Sequence, residues 1–368
     1  MKKIRFNNLS KLHFKIEHNL LRALKKSIKN SNFIGGGEVK KFEDNFKKIN
    51  KSKFCISCGN GSDALFIALK ALGIKPGDEV IVTSFSWIAS SAAITLAGGK
   101  VVFCDIEKNG FNIDPELIKK KITKKTVGII PVHLFGYPAD MEKIMKIAKK
   151  NKLWVIEDCA QAHLAEINNR NVGNFGSFGT FSFYPGKNLG ALGDAGCLVT
   201  NNKVLAKKAR LIATHGGKGL HLIEGINSRM DTIQASFLNL KMKYIKEDTQ
   251  KRIRNAKVYN SILKKIPQIK IPVISKNCKS AYHQYTIKTH KRNELKFFLE
   301  KNGIETQIHY KQTLIQMKAY KYLKLNIKKT FPNSKNITKE ILSLPVSPDK
   351  NTEQINYIGK LINKFFER

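Results

Sequence analysis

The stretch Phe181–Gly190, FSFYPGKNLG, sets one lysine, Lys187, two residues past a proline and between glycines. An amine held on a constrained turn and partly desolvated is deprotonated enough to attack a carbonyl and form an imine. Ser182 alternates with Phe181 and Phe183, so its hydroxyl lies on the strand face opposite the two rings. Upstream, WVIEDCAQA ends a strand in Glu157 and Asp158. A carboxylate there can hold a protonated ring nitrogen by a charge-assisted hydrogen bond, and Gln161, three residues on, can reach a neighbouring polar atom. Earlier still, CGNGSDALFIAL runs a strand into Gly-Asn-Gly and opens a helix at Ser62 and Asp63. Glycine permits close backbone approach, and a helix N-terminus offers unpaired N–H groups to a phosphate. Singly, each feature has an ordinary alternative: a capped turn, a helix-capping acid, a surface lysine. In the order Ser62, Asp158, Ser182, Lys187 they supply a phosphate cradle, an acid for a ring nitrogen, a second phosphate ligand and an imine-forming amine. That is the set a pyridoxal phosphate site requires.

Elements that could position these residues are visible in the hydrophobic pattern. Strands are predicted at 53–57, 79–84, 100–105, 127–133, 153–158, 178–183 and 196–200, several apolar throughout, as strands covered on both faces are. Helical patterns lie between them at Ser62–Leu72, Ile88–Leu96, Pro115–Ile122 and Met141–Lys150. The alternation predicts an α/β fold with a mostly parallel sheet of seven strands, and ligands in such sheets gather at the carboxyl ends of the strands. The candidate residues all fall just past such ends. A long charged helix, Leu238–Ile266, is predicted to lead out of a large domain (1–245) into a smaller α+β domain (246–368). That smaller part has a strand signal at 281–289 and a helix at Asn293–Asn302.

Composition narrows the function classes. The 368 residues carry a net charge of +38, yet the lysines are spread along the whole chain. No basic stripe with interleaved stacking aromatics emerges, so nucleic acid is not the expected partner; biased usage of lysine, isoleucine and asparagine accounts for most of the charge, and steering of an anionic substrate by the positive field comes second. Six cysteines include one CxxC, Cys55 and Cys58, without a second pair, which gives no support to a metal site. No signal pattern or long apolar run is present, so a soluble, cytoplasmic protein without a membrane segment is expected.

Over nearly its whole length the chain resembles the DegT/DnrJ/EryC1/StrS family of pyridoxal-phosphate-dependent sugar aminotransferases. The segments GNGSDAL, GDEVIVTSFSWIAS, FNIDPELI, IIPVHLFGYPADM, VIEDCAQAH, FSFYPGKNLGALGDAG and NSRMDTIQA carry the resemblance. It implies the aspartate aminotransferase type of fold and a role for each residue. Lys187 would form the imine with the cofactor, Asp158 would pair with its pyridine nitrogen, and Gln161 would lie near its phenolic oxygen. Trp87 would stack on the ring, and Ser182 with the amides of Gly61, Ser62 and Asp63 would bind the phosphate. Asn227 would reach the phosphate of a partner subunit, which implies a homodimer with shared sites. His215, His309 and Tyr310 would approach the sugar, although Lys311 stands where the family often has proline. His133 and His163 are expected to be structural or near the site. The implied reaction moves an amino group from L-glutamate to a keto group, at C3 or C4, of a nucleotide-linked sugar. A dehydratase of the same fold usually has histidine in place of the lysine, so Lys187 argues against it.

Overall fold

The computed structural model describes residues 3–217 and 219–367. Seven strands form the central sheet: β1 (Phe54–Cys58), β2 (Glu79–Thr83), β3 (Lys100–Cys104), β4 (Thr126–Ile130), β5 (Trp154–Asp158), β6 (Phe178–Ser182) and β7 (Gly196–Thr200). Their order is β1-β7-β6-β5-β4-β2-β3. Strand β7 runs antiparallel to both its neighbours, and the remaining pairs are parallel. The carboxyl ends of β2, β4, β5 and β6 therefore open on one edge.

Side chains alternate between two cores. Val80 and Val82 of β2 pack with Ile67, Leu69 and Ile94, while Ile81 packs on the opposite face with Phe42, Ile129 and Ile144. Helices cover both faces, Gly61–Leu72 and Lys203–Ala213 on one, Gly36–Asn50 and Met141–Lys150 on the other. This double burial explains why the strands read as continuous apolar runs.

The predicted single helix over Leu238–Ile266 is two helices, Thr232–Lys241 and Ile245–Leu263. Tight turns at residues 242–244 separate them, with the Tyr244 N–H donating to the Lys241 carbonyl at 3.0 Å. The break lets the first helix bury Ala235 and Leu238 against the sheet while the second buries Ala256, Tyr259 and Leu263 in another core. That second core lies around a two-stranded antiparallel ribbon, β8 (Tyr285–Lys288) and β9 (Ile341–Leu344), with helices Arg292–Lys301 and Thr352–Phe366. Phe85, Phe111, Phe135 and Tyr137 from the sheet side join it, so the two parts share apolar contacts. The strand signal at 281–289 is realised only over Tyr285–Lys288, because residues 281–284 bond instead to the loop after β4.

Candidate active site

Asp158 ends β5 and is buried. Ser90 Oγ donates to its Oδ2 at 2.7 Å and the Ala160 N–H to its Oδ1 at 3.1 Å, which fixes the plane of the carboxylate. Behind it, Glu157 faces the opposite side of the strand and is fully buried. It accepts the N–H groups of Gly173, Phe175 and Gly176 at 2.7–2.8 Å. His133 completes this arrangement. Its Nδ1 accepts the Ala139 N–H at 3.0 Å, so Nε2 carries the hydrogen and faces Glu157 Oε2 at 3.1 Å. Cys159 comes close enough to join His133 and Glu157 as a ligand set. With both imidazole nitrogens engaged, however, the trio acts as a hydrogen-bonded strut for the strand end.

The loop after β6 carries Lys187. It is closed by the Lys187 N–H to the Tyr184 carbonyl at 2.8 Å and the Ala191 N–H to the Phe183 carbonyl at 2.7 Å. Asn188 and Gln234 hold it from the flanks, through the Ala281 carbonyl and the Leu192 N–H. Lys187 is half-buried and makes no side-chain hydrogen bond among the described residues. Burial lowers its pKa from 10.5 to about 8, with the Asp158 charge opposing the shift.

The helix Gly61–Leu72 points its N-terminus at Ser182. A Cβ on Gly61 would lie 2.7 Å from Ser182 Cβ, so only glycine lets the two approach. The Gly61 and Ser62 amides have no acceptor among the described residues, whereas the Asp63 N–H is taken by Asn60 Oδ1 at 2.9 Å. The three-amide cradle expected from the sequence is thus reduced to two amides by the N-cap. The Asp63 carboxylate turns to Ser228, whose hydroxyl donates to it at 2.6 Å. Ser182 Oγ accepts the Tyr184 N–H at 3.3 Å and keeps its own hydrogen for another acceptor.

Gln161 is buried. Its Oε1 accepts the Phe135 N–H at 2.7 Å, and its Nε2 donates to the Tyr310 hydroxyl at 3.2 Å, leaving one amide hydrogen free. Burial raises the Tyr310 pKa to about 12, so the phenol stays neutral. The Tyr310 ring lies 6.0 Å from that of Trp87, which is 59% exposed. His309 faces Ser343 Oγ at 3.2 Å, and burial with the Lys187 charge lowers its pKa to about 4. His163 is sealed among Phe46, Phe181 and Phe183 with both nitrogens unpartnered. His215 and Asn227 are exposed on the segment after Ala213, and no described contact joins them to Lys187 within this chain. Sequence reasoning missed Ser90. It sits three residues after Trp87, inside the segment GDEVIVTSFSWIAS, so its hydroxyl was available as a signal.

These residues fit pyridoxal phosphate: two unpaired amides and a hydroxyl for the phosphate, a buried acid with lone pairs to spare, and an amine of lowered basicity. Fold and site define a pyridoxal-phosphate-dependent aminotransferase. A model of the DegT/DnrJ/EryC1/StrS aminotransferase family matches residues 15–363, and the chain belongs to that family. It is 41% identical to the pleiotropic regulatory protein of Geobacillus stearothermophilus, over 98% of this chain and 97% of that one. It is 38% identical to dTDP-3-amino-3,6-dideoxy-alpha-D-galactopyranose transaminase of Aneurinibacillus thermoaerophilus, over 98% and 99%. The crystal structure of S. venezuelae DesV in complex with a ketimine intermediate superposes with a TM-score of 0.97 at 33% identity, covering 100% of both chains.

Proposed function

We propose that this aminotransferase carries an amino group from L-glutamate to the C3 keto group of a nucleotide-linked deoxyhexose. The observation that carries the reading is Lys187, half-buried near Asp158 with its pKa lowered to about 8. The transaminase relative from A. thermoaerophilus has C3 in its name, which supports C3 over C4. When bound, pyridoxal phosphate supplies an electron sink for the bond broken at the substrate carbon. The remaining work falls to the chain. Asp158 holds the pyridine N–H, the free Gln161 hydrogen meets the phenolic oxygen, and Trp87 covers the ring. The Gly61 and Ser62 amides and the Ser182 hydroxyl hold the phosphate. Lys187 Nζ takes a proton from the substrate carbon and returns it one position along, a base and then an acid. His309 and Tyr310 would border the sugar, and His215 would approach it.

Exposed Asn227 suits a contact made in a partner's site, which supports a homodimer with shared sites. No helix among the described residues is long and apolar enough to cross a membrane. A cytoplasmic enzyme feeding surface glycan or other aminosugar synthesis, with no nucleic-acid partner, fits the dispersed positive charge. The test is a panel of keto-sugar nucleotides, keto at C3 or C4, incubated with the loaded enzyme and L-glutamate and read by mass spectrometry. Amination of 3-keto substrates is expected. Amination of 4-keto substrates alone would refute the C3 assignment.

A further inference from the structure

One imidazole of the site has no part in the chemistry above. His283 enters on segment 281–284, which is fixed from several sides. The Ala281 N–H and Ser280 Oγ donate to the Gly136 carbonyl at 3.0 and 2.8 Å, and the Gln284 N–H to the Phe135 carbonyl at 3.2 Å. Arg252 Nη1 donates to the carbonyls of Tyr282 and His283, each at 3.3 Å. A Cβ on Gly136, where φ is +91°, would lie 2.9 Å from the His283 nitrogen, so the two backbones touch.

The neighbours assign the imidazole proton. Asn188 Nδ2 donates to the Ala281 carbonyl at 3.0 Å, which orients the amide and leaves Oδ1 as an acceptor. That Oδ1 lies 3.2 Å from His283 Nδ1, so Nδ1 carries the hydrogen. Burial, with the Lys187 and Arg252 charges, keeps the ring neutral by holding its pKa well below the ordinary value. Nε2 is therefore a bare lone pair. It has no partner among the described residues, and it is not among the side-chain atoms sealed from solvent. The ring stands against the residue that follows Lys187.

A fixed acceptor without a hydrogen attracts O–H and N–H donors and repels anionic oxygens. Ionised glutamate carboxylates offer it nothing, and the glutamate amino group is committed to exchange with the cofactor, so the donors left to meet Nε2 are sugar hydroxyls. We propose that His283 Nε2 accepts a hydrogen bond from a ring hydroxyl of the sugar that receives the amino group. His283 then sets specificity in the second half-reaction only. The proposal rests on the nucleotide-sugar reading above.

The two halves can be measured apart on loaded enzyme. L-glutamate alone changes the cofactor absorbance, and the keto-sugar nucleotide added to the amino form restores it. His283→Asn keeps a donor toward Asn188 and removes the outward acceptor, whereas His283→Gln places an acceptor near the Nε2 position. In His283→Asn the glutamate half should stay within about threefold, while kcat/KM for the sugar half falls about ten- to hundredfold, mostly through KM. In His283→Gln the sugar half should fall less than in His283→Asn. Calorimetric affinity for the amino-sugar product should follow the same order. An equal fall of both halves in His283→Asn, or an unchanged sugar half, would overturn the proposal. If the parent enzyme reacts with glutamate but takes no keto-sugar nucleotide, the substrate reading itself fails, and the sugar contact with it. That failure is visible in the parent, whereas failure of the His283 assignment is visible only in the variants.

Discussion

Two walls face each other across the site, and they are built differently. The cofactor wall comes from strand ends: the Asn60–Asp63 turn after β1, Ser90 after β2, Asp158 and Gln161 after β5, Ser182 and Lys187 at β6. The sheet delivers each residue to the same edge, and bonds between its neighbouring loops, such as Ser90 Oγ to Asp158 and the Phe135 N–H to Gln161, fix it. The facing wall, His283, His309 and Tyr310, comes from irregular segments of the C-terminal part. Side chains on other segments hold it, among them Arg252, Asn188 and Ser343. The cofactor wall is thus fixed by the sheet edge and the bonds among its loops, whereas the facing wall has no sheet edge behind it and is held by side chains of other segments, which leaves its own side chains freer to suit a substrate.

The comparison predicts that damage to the cofactor wall stops chemistry, while damage to the facing wall changes what is accepted. The largest effect should come from Lys187→Ala. Turnover should fall by at least about three orders of magnitude, with the folded chain and its ultraviolet circular dichroism retained. A variant that still transaminates near the parent rate would remove the lysine from the mechanism. Next comes pH. Lys187 has its pKa near 8, so the neutral amine fraction should rise about tenfold from pH 6 to 7, about fivefold from pH 7 to 8, and then level off. Mixing pyridoxal phosphate with the cofactor-free protein and following imine absorbance reads this directly. A rate still climbing above pH 10 would mean an ordinary, solvated lysine.

The contrast also explains how much the sequence disclosed. Five-residue strands buried on both faces announce themselves as apolar runs, and their ends mark where to look, so the gathering of Asp158, Ser182 and Lys187 at one sheet edge was legible. Asp63 was over-read, because the N-cap of Asn60 that consumes its amide depends on a side-chain rotamer rather than on spacing. The break at 242–244 was hidden because the turn, Met242, Lys243 and Tyr244, lacks glycine or proline. Ser90 was hidden because a hydroxyl one helical turn past Trp87 is common, and only tertiary structure brings it 2.7 Å from Asp158. Ser90→Ala should leave Asp158 one hydrogen bond short, lower kcat about tenfold and move the pH of the cofactor's spectral transition. An unchanged spectrum and rate would mean that Ala160 alone orients the carboxylate.

The smallest effect expected is the sharpest probe of the division between walls. Tyr310→Phe deletes the hydroxyl that receives the Gln161 Nε2 hydrogen bond, a tether between the two walls. It leaves the ring in place against Phe85 and Trp87, at 5.9 and 6.0 Å. Gln161 remains held by the Phe135 N–H at 2.7 Å, a bond made entirely on the sheet side. If the cofactor wall is fixed by its own topology, the glutamate half-reaction should fall only about two- to fivefold, the scale of one neutral hydrogen bond exchanged for water. Cofactor retention on dialysis should not change. A hundredfold loss in the glutamate half, or release of the cofactor, would show that the facing wall holds the cofactor wall in place through this phenol. The two walls would then be one cooperative unit.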